Sequence, residues 1–205
     1  MANGLEADHV VVAGNGSLYV APEGTALPVD LAAPASPFSN VGYISDDGVT
    51  FTLSRDTEDI MAWQSVDSVR RLVTAEPKEL SFALLEFDPA SVELAFRGGT
   101  VTKTGTAPNE IATYTPPDAG TASVVALVLD WNDGDADWRF VASRAEVSGD
   151  VEFQLVRTDA IRLPLVLAIL AALGGGPAWK IISDAPSWSA GAVTAAQSGG
   201  TPAST

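Results

Sequence analysis

Residues 49–74 read VTFTLSRDTEDIMAWQSVDSVRRLVT, and this segment predicts a long β-hairpin. Apolar and hydroxyl side chains alternate along its first part, which is the period of two that places neighbours on opposite faces of a strand. The apolar face comprises Val49, Phe51 and Leu53, and the hydroxyl face comprises Thr50, Thr52 and Ser54. Residues 68–74 predict the returning strand, with residues 55–67 as the connecting loop.

The segments on either side of this ribbon predict a mainly β protein. Short β-prone runs separated by turns cover residues 78–87, 110–115, 123–129, 137–145, 151–157, 161–170 and 179–183. Such spacing is typical of a β-sandwich or barrel. Asp88 followed by Pro89 is a helix start, so one short flanking helix is expected before Gly98. The apolar run 161–173 contains Pro164 and is too short to span a membrane, so we interpret it as a strand.

The chain reads as one domain over residues 1–188. Within it, residues 21–40 contain four prolines, a density that neither a helix nor a central strand tolerates, so a long loop or arm is predicted. Residues 189–205 are uncharged and lack large side chains, which predicts a flexible tail. The first ten residues lack the pattern of a secretory signal, and no membrane association is predicted.

Composition argues against catalysis and against tight DNA binding. The chain has 11 basic and 26 acidic residues, for a net charge of −15, so its surface repels phosphate. Cysteine is absent and His9 is the sole histidine, which excludes thiol nucleophiles, iron–sulfur clusters and multi-histidine metal sites. We predict a protein that is not an enzyme, with no catalytic residue, no cofactor and no metal.

The acidic segment 130–137, DWNDGDAD, allows two interpretations. Clustered carboxylates resemble a calcium loop, but Val141 stands where the bidentate glutamate of such a loop belongs. An Asp/Gly hairpin turn between two strands explains the same residues and is the favoured interpretation.

Trp63, Arg70 and Arg71 are candidate contact residues. Arg70 and Arg71 are adjacent on the predicted returning strand, so their side chains point to opposite faces. One of the two is then available to pair with a carboxylate or to reach a neighbouring subunit, and the alternative is a pair of solvated arginines at an edge.

The stretch from Val41 to Asp88 resembles a known family. Its matching features are Gly42-Tyr43-Ile44, the Asp46-Asp47-Gly48 turn, Asp56-Thr57 with Glu58, Ala62-Trp63, Val69-Arg70 and the strand end Leu85-Glu86-Phe87. With these features it resembles the N-terminal half of the tail tube (major tail) proteins of long-tailed, non-contractile bacteriophages.

The resemblance implies a β-sandwich whose long hairpin joins an intersubunit barrel, with six copies in a ring and rings stacked into a tube. Thr50, Thr52 and Ser54 would face the lumen, and the packing or intersubunit contacts would be Val49, Phe51, Leu53, Trp63, Arg70 and Arg71. The tube would conduct double-stranded DNA during infection without binding it specifically. Other tail proteins would meet the ends of the tube.

The implied location is the virion, after synthesis in the cytoplasm of the host bacterium. An alternative function is that of a phage tail-tip, decoration or carbohydrate-binding β-sandwich module, in which the aromatic side chains contact a ligand instead of a neighbouring subunit.

Overall fold

The computed structural model describes residues 9–189. Strands account for 44% and helices for 6%, so the prediction of a mainly β fold is confirmed. Within the described range, no helix is both long and apolar enough to cross a lipid bilayer. The predicted tail lies outside the described residues from position 190 onward.

Antiparallel strands are the main regular elements of the described chain. They are β1 (Asn15–Pro22), β2 (Ser39–Asn40), β3 (Thr50–Leu53), β4 (Asp56–Met61), β5 (Ser68–Ala75), β6 (Lys78–Leu84), β7 (Thr100–Thr104), β8 (Ile111–Thr115), β9 (Val124–Asp133), β10 (Ala136–Val147), β11 (Leu163–Ile169) and β12 (Trp179–Ser183). The helices are α1 (Pro89–Ala95) and α2 (Pro186–Ser189).

One large sheet is built around β10. Its strand order is β2-β1-β9-β10-β11-β6-β3, and β12 also pairs with β10. Along one edge β10 pairs with β9, and along the other it pairs first with β12 and then with β11. A register shift between Ala142 and Ala145 separates those two partners, and such a bulge bends a strand. The sheet therefore curls without closing into a barrel.

The hydrophobic core lies inside this curl. Phe51 on β3, at one end of the sheet, lies 5.4 Å from Phe140 on β10 between ring centroids. In β11 the inward side chains Leu163, Leu165, Leu167 and Ile169 are at most 8% exposed, whereas Pro164 is exposed between them. The strand predicted around Pro164 is confirmed, because alternation puts the proline on the outer face while the leucines fill the core.

The proline-rich segment 21–40 contains no regular structure between the end of β1 and the start of β2. Its middle lies against β10, where the Arg139 side chain donates to the carbonyls of Asp30 at 2.7 Å and Ala32 at 2.8 Å. Arg139 is 2% exposed and its guanidinium also forms two bonds of 2.6 Å to the Asp130 carboxylate. A buried ion pair therefore holds this loop on the outer face of the sheet.

The predicted helix after Asp88 is confirmed as α1. The Asp88 carboxylate accepts a hydrogen bond from the Ser91 amide at 2.8 Å, and the Ser91 hydroxyl accepts one from the Asp88 amide at 2.9 Å. This reciprocal capping box and Pro89 in the first turn start the helix where the sequence indicates.

Three expectations about secondary structure are wrong. The hairpin pairs differently from the prediction: β3 pairs with β6, and the predicted returning strand, β5, pairs with β4 (Asp56–Met61), which lies in the predicted loop of residues 55–67. Residues 151–157 form no strand; Phe153 packs on Phe87 at 5.8 Å and on Phe96 at 6.3 Å without strand pairing, and Leu155 is 71% exposed. A second short helix, α2, accompanies the single helix that was predicted.

Candidate assembly interface

Strands β3 to β6 form one long ribbon. At its base, β3 and β6 pair from Thr50 opposite Ser81 to Leu53 opposite Lys78. Farther out, β4 and β5 pair from Asp56 to Met61 as a separate two-stranded hairpin. Between the two ladders, the Ser54 amide donates to the Pro77 carbonyl at 3.0 Å. The base therefore belongs to the main sheet, while the β4–β5 hairpin extends beyond it.

The apolar face of β3 is turned towards the core. The Phe51 ring packs at a tilt against Phe140 and lies 5.2 Å from the Trp179 ring between centroids, and Val49 is partly buried against the core cluster. Leu53, where the strand leaves the body, is 49% exposed. These positions follow the alternation in the sequence; whether these residues contact another subunit stays a prediction.

The opposite face of β3 continues across β6, β11 and β10 as an open surface. Thr50 lies in one row with Ser81 and Val166, and Thr52 lies in the next row with Glu79, Ala168 and Glu146. Ser54 is exposed just beyond the end of β3. The two rows contain hydroxyl, small apolar and acidic side chains and no lysine or arginine. The lumen-facing role of Thr50, Thr52 and Ser54 stays a prediction.

The β4–β5 hairpin has almost no contact with the body of its own subunit. Every residue of β4 is exposed, and in β5 only Leu72 is partly buried. At the turn, which we call the hairpin tip (residues 61–68), Trp63 is 98% and Val66 is 95% exposed. An isolated two-stranded hairpin is at best marginally stable in water, so contact with another chain would stabilise this one.

The two adjacent arginines differ in their surroundings. Arg71 lies opposite Asp59 and donates to both carboxylate oxygens, at 2.8 and 3.0 Å. These hydrogen bonds lower the pKa of Asp59; desolvation opposes them in part, and the charge of Arg71 adds a smaller lowering. The same hydrogen bonds raise the pKa of Arg71. Arg70, opposite Ile60, forms no ion pair within residues 9–189.

The acidic segment 130–137 is a hairpin turn, as favoured from the sequence. Asp133 pairs with Ala136 across a two-residue loop, and Gly134 adopts the left-handed φ of 60° that such a turn requires. The Asp130 carboxylate forms an ion pair with Arg139, and the Asp133 carboxylate accepts a hydrogen bond from the Val12 amide at 2.8 Å. Among residues 9–189, no group of three acidic or histidine side chains converges on one point.

Sequence reasoning missed part of this interface. Ile60 and Met61, which are 44% and 56% exposed, lie on β4, although the sequence pattern predicts a loop there. The acidic side chains of the open surface, Glu79 and Glu146, were not singled out either. The alternation in residues 78–84 predicted the outward face of Glu79, but its alignment with Thr52 depends on the sheet register.

Comparison with known proteins agrees with this geometry. A family model described as phage tail tube protein matches residues 3–194, nearly the whole chain. No curated protein matches the chain at a significant level.

Proposed function

Because the chain belongs to the phage tail tube protein family, we propose that six copies close into a ring and that stacked rings form a tube that conducts DNA. The chain is a structural component of the virion. Membership of the family implies that it assembles with itself and with other tail proteins.

The exposed β4–β5 hairpin is the observation that carries the proposal. Apolar side chains project from it and are between 44% and 63% exposed, namely Ile60, Met61, Val69 and Val73. Burying apolar surface contributes about 25 cal/mol per Å², and this hairpin forgoes that stabilisation as long as the subunit stands alone. Contact with neighbouring copies supplies it.

Strand β3 gives the ring its second contact. It lies at one end of the main sheet and pairs only with β6 within residues 9–189, so one row of its backbone groups is open to another strand. Open strand edges pair readily with other chains unless something covers them. In a closed ring each subunit covers the edge of the next, and the growth of the sheet stops when the ring is complete.

The open surface next to β3 suits the wall of a DNA channel. Its charged members in the two rows described above are Glu79 and Glu146. Six subunits of charge −15 carry a total of −90, and in physiological salt this repulsion acts over about 8 Å. Hydroxyl and small side chains offer phosphate no cation to hold it, so DNA slides past such a wall without sticking.

Electron microscopy of the purified chain tests the ring. We expect tubes or rings with sixfold end views from the wild-type chain, and dispersed subunits when residues 56–75 are replaced by an Asn-Gly turn. A matched pair of point variants isolates the surface. Ile60→Asp on β4 should hinder assembly, whereas Ile111→Asp, which is also exposed and lies on the other two-stranded sheet, should not. Monodisperse wild-type subunits at all concentrations would refute the proposal.

Retention of DNA tests the channel separately. Assembled wild-type tubes should not retain a short labelled duplex, whereas Glu79→Lys tubes should retain it in low salt and release it as salt rises. Glu110→Lys, at the residue just before β8 and next to the separate β7–β8 sheet, is the control and should behave as wild type. Equal retention by both variants would show that Glu79 does not face the DNA path.

A further inference from the structure

A large cleft opens beside the base of the ribbon. It has a volume of about 910 Å³ and is lined by Val49, Phe51 and Phe140 on its apolar side. This volume lies at the upper end of the range of about 300–1,000 Å³ that is typical of pockets holding a whole ligand. No lysine or arginine is among its described lining residues, while Glu86, Asp88 and Asp130 are.

Of these three carboxylates, only Glu86 neither forms an ion pair nor caps a helix within the described residues. Asp130 is paired with Arg139, and Asp88 caps α1. Glu86 is partly buried and accepts a hydrogen bond from the Tyr43 amide at 3.0 Å. It has no cationic partner within residues 9–189. A partly buried carboxylate is stabilised by a nearby cation, so Glu86 at the rim of the cleft is suited to bind a cationic side chain.

The hairpin tip and the adjoining part of β5 carry side chains that complement the apolar wall and the carboxylate of the cleft. Trp63 is a large apolar side chain that is 98% exposed, and Arg70 is an unpaired cation on β5 close behind the tip. Trp63 follows Phe51 by twelve residues, which corresponds to about 40 Å along an extended strand at about 3.3 Å per residue. The tip therefore lies far from the cleft of its own subunit while the ribbon is extended. The tip of one copy can reach only the cleft of another copy.

We propose that the hairpin tip of one copy docks into the cleft of a second copy, with Trp63 against Phe51 and Phe140 and with Arg70 paired to Glu86. This inference rests on the proposed function and adds to it the surface that receives the hairpin. Tryptophan and arginine are the residue types that most often dominate the energetics of an interface. The contact is heterologous, because it joins two different surfaces, and such contacts generate rings when the rotation between subunits closes.

Crosslinking within assembled tubes tests the docking directly. The chain contains no cysteine, so engineered thiols have no background. Gln64→Cys, beside Trp63 at the tip, and Tyr43→Cys, which is 75% exposed on the cleft rim, are prepared as separate single variants and co-assembled. A short thiol-reactive crosslinker should then join unlike subunits. Co-assembly of Gln64→Cys with Val29→Cys, which is 88% exposed on the loop of residues 23–38, is the control and should give no product.

The outcomes separate this inference from the proposed function. Tubes that form without a 64–43 crosslink, or with an equally strong 64–29 crosslink, overturn the docking and leave the tube intact. Failure of the wild-type chain to form tubes overturns the proposed function and the docking with it.

A charge exchange tests the polar part of the contact. Arg70→Glu and Glu86→Lys should each raise the protein concentration needed for assembly at least about tenfold, since each places like charges together. The double variant should recover most of that loss. Thermal unfolding of dispersed Arg70→Glu subunits should match that of wild type, which shows that the subunit still folds. Glu86→Lys loses the acceptor of the Tyr43 amide, so Glu86→Gln, which keeps an acceptor but not the charge, is the matched variant and should also assemble less readily. Absence of recovery in the double variant would exclude the pairing of Arg70 with Glu86.

Discussion

Removal of the buried guanidinium of Arg139 is expected to destabilise the subunit more than any change on the hairpin. The side chain is 2% exposed, whereas that of Asp130 keeps 26% of its exposure. Arg139→Ala leaves the Asp130 carboxylate without its partner, and it leaves the carbonyls of Asp30 and Ala32 without their donor.

The magnitude follows from those contacts. Removing one partner of a buried ion pair costs about 3–5 kcal/mol, and the remaining water contact of Asp130 favours the lower part of that range, about 3–4 kcal/mol. Domains unfold at a total cost of about 5–15 kcal/mol, so this is a large fraction. For a chain of this size each kcal/mol shifts the melting temperature by about 2–4 °C, which gives a decrease of about 6–16 °C.

Thermal and urea unfolding of dispersed subunits, followed by circular dichroism, measure this decrease. Arg139→Lys retains the charge but not the planar fork that binds both Asp130 oxygens, so its melting temperature should fall between those of the alanine variant and wild type. Limited proteolysis should cut Arg139→Ala within residues 23–38, because the loop loses its attachment to β10. A melting temperature within about 2 °C of wild type for Arg139→Ala would refute the reasoning, since the pair would then contribute little net stability.

Four further measurements probe other parts of the fold. Leu165→Ala, at a position 1% exposed, should lower the free energy of unfolding by about 2–5 kcal/mol in urea titrations, and a loss under 1 kcal/mol would place this side chain outside the core. Asp88→Ala should cost about 0.5–2 kcal/mol by removing the cap of α1, with Asp118→Ala in a surface turn as the near-neutral control. The pKa of Asp59 lies below its ordinary value of 3.8 because of Arg71, so the contribution of this pair to folding is present above pH 3.8 and is lost as the pH falls through the lowered pKa. In a carboxyl NMR titration of Arg71→Ala, the pKa of Asp59 should rise towards 3.8. An unchanged pKa would exclude Arg71 as the cause of the shift. Millimolar calcium should leave the melting temperature unchanged, because Asp130 is occupied by Arg139, and a clear rise would revive the calcium interpretation of residues 130–137.

The parts of the fold that were predicted correctly depend on local patterns. The alternation in residues 49–54 assigns Phe51 to the inner face of β3, and Asp88 with Pro89 predicts the start of α1; both signals act within a few residues. The alternation around Val151 and Phe153 is just as regular, yet it forms no strand, because a strand requires a neighbour to pair with and Phe153 packs on two aromatic rings instead. The converse holds for β4, whose acidic sequence DTEDIM lacks a strand pattern but pairs with β5.

The sequence by itself determined that the chain is a mainly β protein without cysteine, with an excess of negative charge and with a long ribbon that has one apolar and one hydroxyl face at its base. Composition and period-two alternation suffice for those conclusions, because both are properties of neighbouring residues. Only the tertiary structure decided that Arg139 anchors the proline-rich loop, that the sheet curls at the bulge in β10, and that the hairpin stands clear of its own subunit while Glu86 remains unpaired. Those features join residues far apart in the chain, and their energies depend on strand order and register, which local patterns do not encode.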